Sequence, residues 1–201
     1  SEIFKHESYS SMGSDIADVN NDGLEDLFAV EMLPADNKRK KVNMNANNYN
    51  HYLFTEQYQY EYQFVRNMFQ LNQGINPKTN LPLFSDIAFL AGVEATDWSW
   101  SPLFADFDND GLKDIYVTNG LLRDIRNTDA DKKVGEFVLK IADDYVKKNK
   151  SFDYNLWDIL PLDKALELVP SVKIKNYLYK NCLVNQYINA RTIYINTVYK
   201  P

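Results

Sequence analysis

Ala105-Asp106-Phe107-Asp108-Asn109-Asp110-Gly111-Leu112-Lys113-Asp114 runs directly into the apolar stretch Ile115-Tyr116-Val117, and the same pattern stands earlier in the chain. There, Ala17-Asp18-Val19-Asn20-Asn21-Asp22-Gly23-Leu24-Glu25-Asp26 precedes Leu27-Phe28-Ala29-Val30, at an offset of 88 residues. A short apolar run after a Gly-containing turn reads as a strand. Two acidic loops, each feeding a strand, organise the chain.

A weaker correspondence lies downstream of each loop. Arg66-Asn67-Met68-Phe69-Gln70-Leu71-Asn72 resembles Lys175-Asn176-Tyr177-Leu178-Tyr179-Lys180-Asn181, at an offset of 109 residues. Between the copies, Phe84-Ser85-Asp86-Ile87-Ala88 and Asp97-Trp98-Ser99-Trp100-Ser101 read as short strands. A repeating unit of about four strands is the pattern of a propeller blade. The expected fold is therefore mainly β, a partial β-propeller of about two four-stranded antiparallel blades with a helical insertion. Residues 1–120 hold the blades, with a Tyr- and Asn-rich insertion at 36–62 that contains a short helix near 47–58. Residues 121–172 form a mainly helical insertion: Val134, Phe137, Val138, Ile141, Tyr145 and Val146 follow helical spacing, and their stripe is expected to pack on the sheets. A shorter helix covers Leu162 to Val169, ended by Pro170. Residues 173–201 begin a further blade strand and continue into an irregular tail; the pattern stops after Asn181, as if the repeat were cut there.

The loops carry the chemistry. Counted from the first aspartate, positions 1, 3, 5 and 9 are Asp18, Asn20, Asp22 and Asp26 in one copy and Asp106, Asp108, Asp110 and Asp114 in the other. Calcium is a hard cation that takes six to eight oxygens, and alternate side chains of a curled loop converge on one point. Position 6, Gly23 or Gly111, permits the sharp turn. Position 7, Leu24 or Leu112, offers its backbone carbonyl, which leaves the side chain free to be apolar. Carboxylates held this close repel one another by about 1 kcal/mol per pair even with bulk-water screening, a penalty that a divalent cation removes. Two calcium sites are therefore expected. An EF-hand is excluded, because position 12 is Ala29 in one copy and Val117 in the other rather than the bidentate Glu it needs.

Composition closes off other classes. The chain has 201 residues and a net charge of -6, and an acidic chain repels phosphate backbones, so no nucleic-acid partner is expected. The basic run Lys38-Arg39-Lys40-Lys41 reads as a solvated face. Cys182 stands alone, so it forms no internal disulfide and no metal site. No apolar run reaches 18 residues, so no transmembrane segment is expected, and no signal peptide is visible. His6 and His51 lie in separate segments without zinc-ligand spacing, and no nucleophile elbow, phosphate loop or dinucleotide fingerprint occurs. No catalytic residue is assigned. Trp98 and Trp100, two apart, would share one strand face, suited either to packing between blades or to stacking on a sugar. Tyr58, Tyr60 and Tyr62 alternate as an edge strand or an exposed contact surface would.

The D-x-[DN]-x-D-G-x-x-D loop followed by a strand resembles the FG-GAP or VCBS repeat of integrin-α-type β-propellers. Ser14 to Pro34, Arg66 to Gly74 and Trp98 to Gly120 look more specifically like bacterial VCBS proteins, related to the ASPIC/UnbV and cartilage-acidic-protein group common in Bacteroidetes. The likeness runs from about Ser11 to Asn181. It implies calcium at the loop positions named above, seven blades in a complete ring and an exported or cell-surface location. The implied function is binding or adhesion without catalysis, toward a protein or glycan ligand. The alternatives are carbohydrate recognition in a glycan-uptake system and the non-catalytic part of a larger propeller enzyme. Exposed blade edges imply self-association.

Overall fold

The computed structural model describes residues 3–4, 6–43, 49–183 and 193–197. The chain divides into two compact units: Ser1–Lys40, Asn45–Gly120 and Ile174–Pro201 form one, and Lys41–Met44 with Leu121–Lys173 form the other. In chain order the elements are β1 (Glu7–Ser8), β2 (Gly13–Ala17), β3 (Asp26–Val30), α1 (Asn37–Asn43), α2 (Tyr49–Tyr58), β4 (Gln63–Phe64), β5 (Met68–Ile75), β6 (Pro82–Asp86), α3 (Ala88–Ala91), β7 (Ser99–Ala105), β8 (Asp114–Asn119), α4 (Thr128–Asn149), α5 (Leu156–Ile159), α6 (Leu162–Glu167), β9 (Tyr177–Leu183) and β10 (Ile193–Thr197).

About 30% of the chain is helical and 27% is strand, so the expectation of a mainly β protein is corrected to a mixed one. Aromatic residues, which suit strands, are shared with helices here: Tyr52, Phe54 and Tyr58 lie in α2, Phe137 and Tyr145 in α4. Among the described residues no helix is long and apolar enough to cross a membrane.

The first unit holds two four-stranded antiparallel sheets, β2-β3-β5-β6 and β7-β8-β9-β10, and a short parallel pair, β1-β4. Each larger sheet is a meander whose neighbours in space are neighbours in order. Their central registers match. Leu27, Phe28 and Ala29 oppose Gln70, Phe69 and Met68, while Ile115, Tyr116 and Val117 oppose Tyr179, Leu178 and Tyr177. These pairs keep the offsets of 88 and 109 seen in the sequence. The tail departs from expectation: β10 pairs with β9, Ile195 opposite Asn181, and supplies a fourth strand. Ile193-Tyr194-Ile195-Asn196-Thr197 is rich in β-branched residues, which suit a pleated strand. Residues 184–192 and 198–201 of that tail lie outside the described ones.

The core sits between the two sheets. Phe28 and Phe69 meet edge to face with centroids 5.5 Å apart, and Phe104 of the second sheet lies 6.2 and 6.0 Å from them. Val19, Val30, Val93, Ile115, Val117 and Tyr179 complete the buried cluster. The first strands of the sheets approach closely: a Cβ added at Gly13 would stand 2.5 Å from the Trp100 carbonyl oxygen. The Phe104 N–H donates to Asp15 Oδ2 at 2.7 Å across the same seam.

In the second unit, α4 is capped by Asn127, whose side chain accepts from the Asp129 and Ala130 N–H groups. Asp129 and Asp131 sit in its first turn and Lys147 and Lys148 in its last, each complementing the helix dipole. Its apolar stripe is half-buried, and the helix packs with α5 and α6. The helix expected over Leu162 to Val169 spans Leu162–Glu167.

Candidate metal centre

Each acidic loop joins the first two strands of a sheet, β2 to β3 and β7 to β8. The same hydrogen bonds shape both. Asp18 accepts the Asp22 N–H at 3.0 Å on Oδ1 and the Gly23 N–H at 2.7 Å on Oδ2. Asp106 accepts those of Asp110 and Gly111 at 3.1 and 2.9 Å. The position-7 amide follows suit, Leu24 N–H on Asp22 Oδ1 at 2.9 Å and Leu112 N–H on Asp110 Oδ1 at 3.0 Å. Gly23 and Gly111 adopt φ of 84° and 85°, a region that glycine enters without a Cβ clash.

Positions 1, 3 and 5 of the second loop converge. Asp106, Asp108 and Asp110 each offer a carboxylate oxygen, and these atoms lie within 4.8 Å of one another. The cluster could hold a metal ion. In the first loop, Asn20 stands where the second has Asp108, and its Nδ2 donates to Asp22 Oδ2 at 2.9 Å. Asp18, Asn20 and Asp22 thus carry two carboxylates and one amide oxygen.

Position 9 behaves differently in both loops. Asp26 and Asp114 are buried. Asp26 accepts the Val19 N–H at 3.0 Å and the Asn72 N–H at 2.7 Å, and Asp114 accepts those of Phe107 at 3.2 Å and Asn181 at 2.8 Å. Each carboxylate therefore ties its own loop to the third strand of the sheet. Burial pushes the Asp26 carboxyl up, while the two amides oppose that shift.

Lys180 is a feature that the sequence comparison did not single out. Its Nζ pairs with Asp108 and lies 3.3 Å from Asp110 Oδ2. The ammonium holds the Asp108 carboxyl below its usual range, and the two aspartates raise the lysine. The signal was present: the first copy has Leu71 at the matching place, so only the second loop carries a tethered cation there.

Two asparagines of the weaker repeat also act alike. Asn67 Oδ1 accepts the Glu31 N–H at 2.7 Å, and Asn176 Oδ1 accepts the Asn119 N–H at 2.8 Å. Buried Asn67 further donates to Val93 O and Thr96 Oγ1.

Trp98 and Trp100 do not form a common platform. Trp98 precedes β7 and is buried, whereas Trp100 is half exposed and donates its Nε1–H to Gly120 O at 2.6 Å. The exposed aromatics gather elsewhere. Tyr58 and Tyr60 stack at 6.1 Å, as do Tyr52 and Tyr62, and Phe54 lies 4.4 Å from Tyr58. His6 packs with Asp86 and Arg66, its Nε2 2.7 Å from Asp86 Oδ2. The His51 side chain lies outside the described residues.

No family model, curated protein or solved structure matches this chain.

Proposed function

We propose that the chain is a calcium-stabilised β-propeller segment of the FG-GAP/VCBS kind, part of an exported or surface-attached protein that binds or adheres rather than catalyses. The observation that carries this reading is the pair of loops: the same spacing, the same internal hydrogen bonds and the same place between the first two strands of a four-stranded meander. Three aspartate oxygens converging in the second loop support a hard divalent cation over a soft one. The two sheets stacked on one aromatic core support the reading of successive blades.

The ligands would be Asp18, Asn20, Asp22 and the Leu24 carbonyl in the first loop, and Asp106, Asp108, Asp110 and the Leu112 carbonyl in the second. Asp26 and Asp114 would close each cage from the buried side, with the lone pairs that the amides leave free. Calcium's role is structural: it relieves carboxylate repulsion and fixes the turn. Isothermal titration with calcium, magnesium and zinc tests the metal assignment. Calcium binding at two sites, lost from one of them in Asp106→Ala, is expected. Heat of binding from zinc alone would contradict the reading.

A second reading, carbohydrate recognition, is favoured by the exposed aromatic cluster of Tyr52, Phe54, Tyr58, Tyr60 and Tyr62, because flat aromatic faces suit the apolar faces of sugars. Glycan-array binding that disappears on Tyr58→Ala and Tyr60→Ala would favour it over adhesion to a protein.

A further inference from the structure

Strand β9 grips the second loop from both of its sides. Buried Asn181 donates its N–H to Asp114 Oδ1 at 2.8 Å and its Nδ2–H to Lys113 O at 3.2 Å. Lys180, the residue before it, leaves the other side of the strand, as successive strand residues do. Its Nζ pairs with Asp108 and lies 3.3 Å from Asp110 Oδ2. One strand therefore holds positions 8 and 9 of the loop by hydrogen bonds and positions 3 and 5 by a charge.

The first sheet repeats half of this grip. Asn72 donates its N–H to Asp26 Oδ1 at 2.7 Å and its Nδ2–H to Glu25 O at 3.1 Å. Leu71, at the place of Lys180, packs against the core instead. The loops differ at the corresponding point, since Asp108 stands where the first has Asn20. The added carboxylate and the added ammonium thus occur in the same copy, 72 residues apart, and bond to each other.

The second loop needs such a partner. Asp106, Asp108 and Asp110 bring carboxylate oxygens within 4.8 Å of one another, and like charges this close repel. Two of these carboxylates also shape the turn. Asp106 accepts the Asp110 and Gly111 N–H groups at 3.1 and 2.9 Å, and Asp110 accepts the Leu112 N–H at 3.0 Å. Repulsion that spreads the carboxylates pulls on those bonds.

We propose that Lys180 is the resident counter-ion of the second loop: its ammonium holds the turn when no metal is bound, and a divalent cation entering the loop displaces it. The displacement rests on the calcium reading above; the counter-ion role does not. Lys180 is then more than a competitor. It lets the second loop keep its shape when calcium is scarce, and calcium uptake there releases a lysine of β9.

Solvent exchange of the Asp110, Gly111 and Leu112 amides, measured by NMR on the full chain in chelator, tests the counter-ion role. Lys180→Met should speed their exchange by roughly fivefold, the scale of one exposed ion pair, and leave the Asp22, Gly23 and Leu24 amides of the first loop unchanged. Adding Asp108→Asn to Lys180→Met should return exchange to near the parent rate, because the surplus carboxylate leaves with its partner. Saturating calcium should erase the difference between Lys180→Met and the parent. Equal exchange of parent and Lys180→Met in chelator would overturn the proposal, as would a double variant that exchanges as fast as Lys180→Met. Calcium that binds at the second loop but leaves the difference in place would overturn the displacement. A fivefold difference in chelator with no heat of calcium binding would sink the calcium reading and uphold the counter-ion.

Discussion

Asp26 and Asn72 lie 46 residues apart and are joined by the Asn72 N–H on Asp26 Oδ1 at 2.7 Å; Asp114 and Asn181 repeat the bond at 2.8 Å. The last aspartate of each loop is thus a buried link from turn to third strand. In the second loop, positions 1, 3 and 5 bring together three carboxylate oxygens that could hold a metal ion. One nine-residue stretch combines two jobs: anchoring the turn in the sheet and presenting oxygens above it.

Asp114→Ala removes the acceptor for the Phe107 and Asn181 amides together. An unsatisfied buried donor costs about 1–3 kcal/mol, so urea unfolding should show a loss of that order or somewhat more. Asp114→Asn keeps one acceptor oxygen and should lose less. Equal midpoints for Asp114→Ala and the parent would contradict the anchoring role.

Gly13→Ala should force β2 and β7 apart, because the new Cβ meets the Trp100 carbonyl at 2.5 Å and Ser101 Cα at 3.2 Å, both backbone atoms. Overpacking of this kind costs about 1–3 kcal/mol. Gly120→Ala is the control, since its nearest neighbour is Trp100 Nε1 at 4.0 Å. Comparable unfolding midpoints for the two variants would show that the sheets do not meet as described.

Lys180 competes with any metal for Asp108 and Asp110. Lys180→Met should tighten calcium at the second loop by roughly fivefold, the scale of one exposed ion pair, and leave the first loop unchanged. Titration calorimetry reads both sites. Weaker binding in Lys180→Met would mean that the lysine organises the loop instead of competing for it.

The carboxyl of Asp86 gives a pH signature. Burial raises it, but bonds from the Ala88 N–H, His6 and Arg66 outweigh burial and hold it below the usual 3.8 of an aspartate. The folded chain therefore binds this proton less tightly than the unfolded one. Its contribution to stability is present above about pH 4 and is lost as pH falls through the lower folded value. Asp86→Asn should lower Tm at neutral pH and flatten the acid limb of the Tm–pH curve. An acid limb parallel to that of the parent would rule the contribution out.

Much of the sheet architecture was legible because side-chain chemistry repeats with it. The loop spacing and the two offsets mark β2–β3 and β7–β8, and the asparagine pairs mark β5 and β9. The fourth strand β10 was not legible, since no Gly turn announces it and its Ile-Tyr-Ile-Asn-Thr run lacks a counterpart in the first sheet. The helical share is less legible because Tyr and Phe, which suit strands, also occur several times in α2 and α4. In the site, positions 1, 3 and 5 were read from alternation. The anchoring bonds of Asp26 and Asp114 were not, because they depend on Asn72 and Asn181 arriving from a distant strand. Of the Trp pair, Trp98 is buried and Trp100 is exposed, a difference that i, i+2 spacing alone does not reveal.

The central claim is that calcium stabilises the fold through these loops, and thermal melting in calcium against chelator tests it most directly. The parent should melt higher in calcium. The double variant Asp18→Ala, Asp110→Ala should lose most of that difference while melting close to the parent in chelator. A parent Tm that is the same in both buffers, or a double variant destabilised equally in both, would contradict the account.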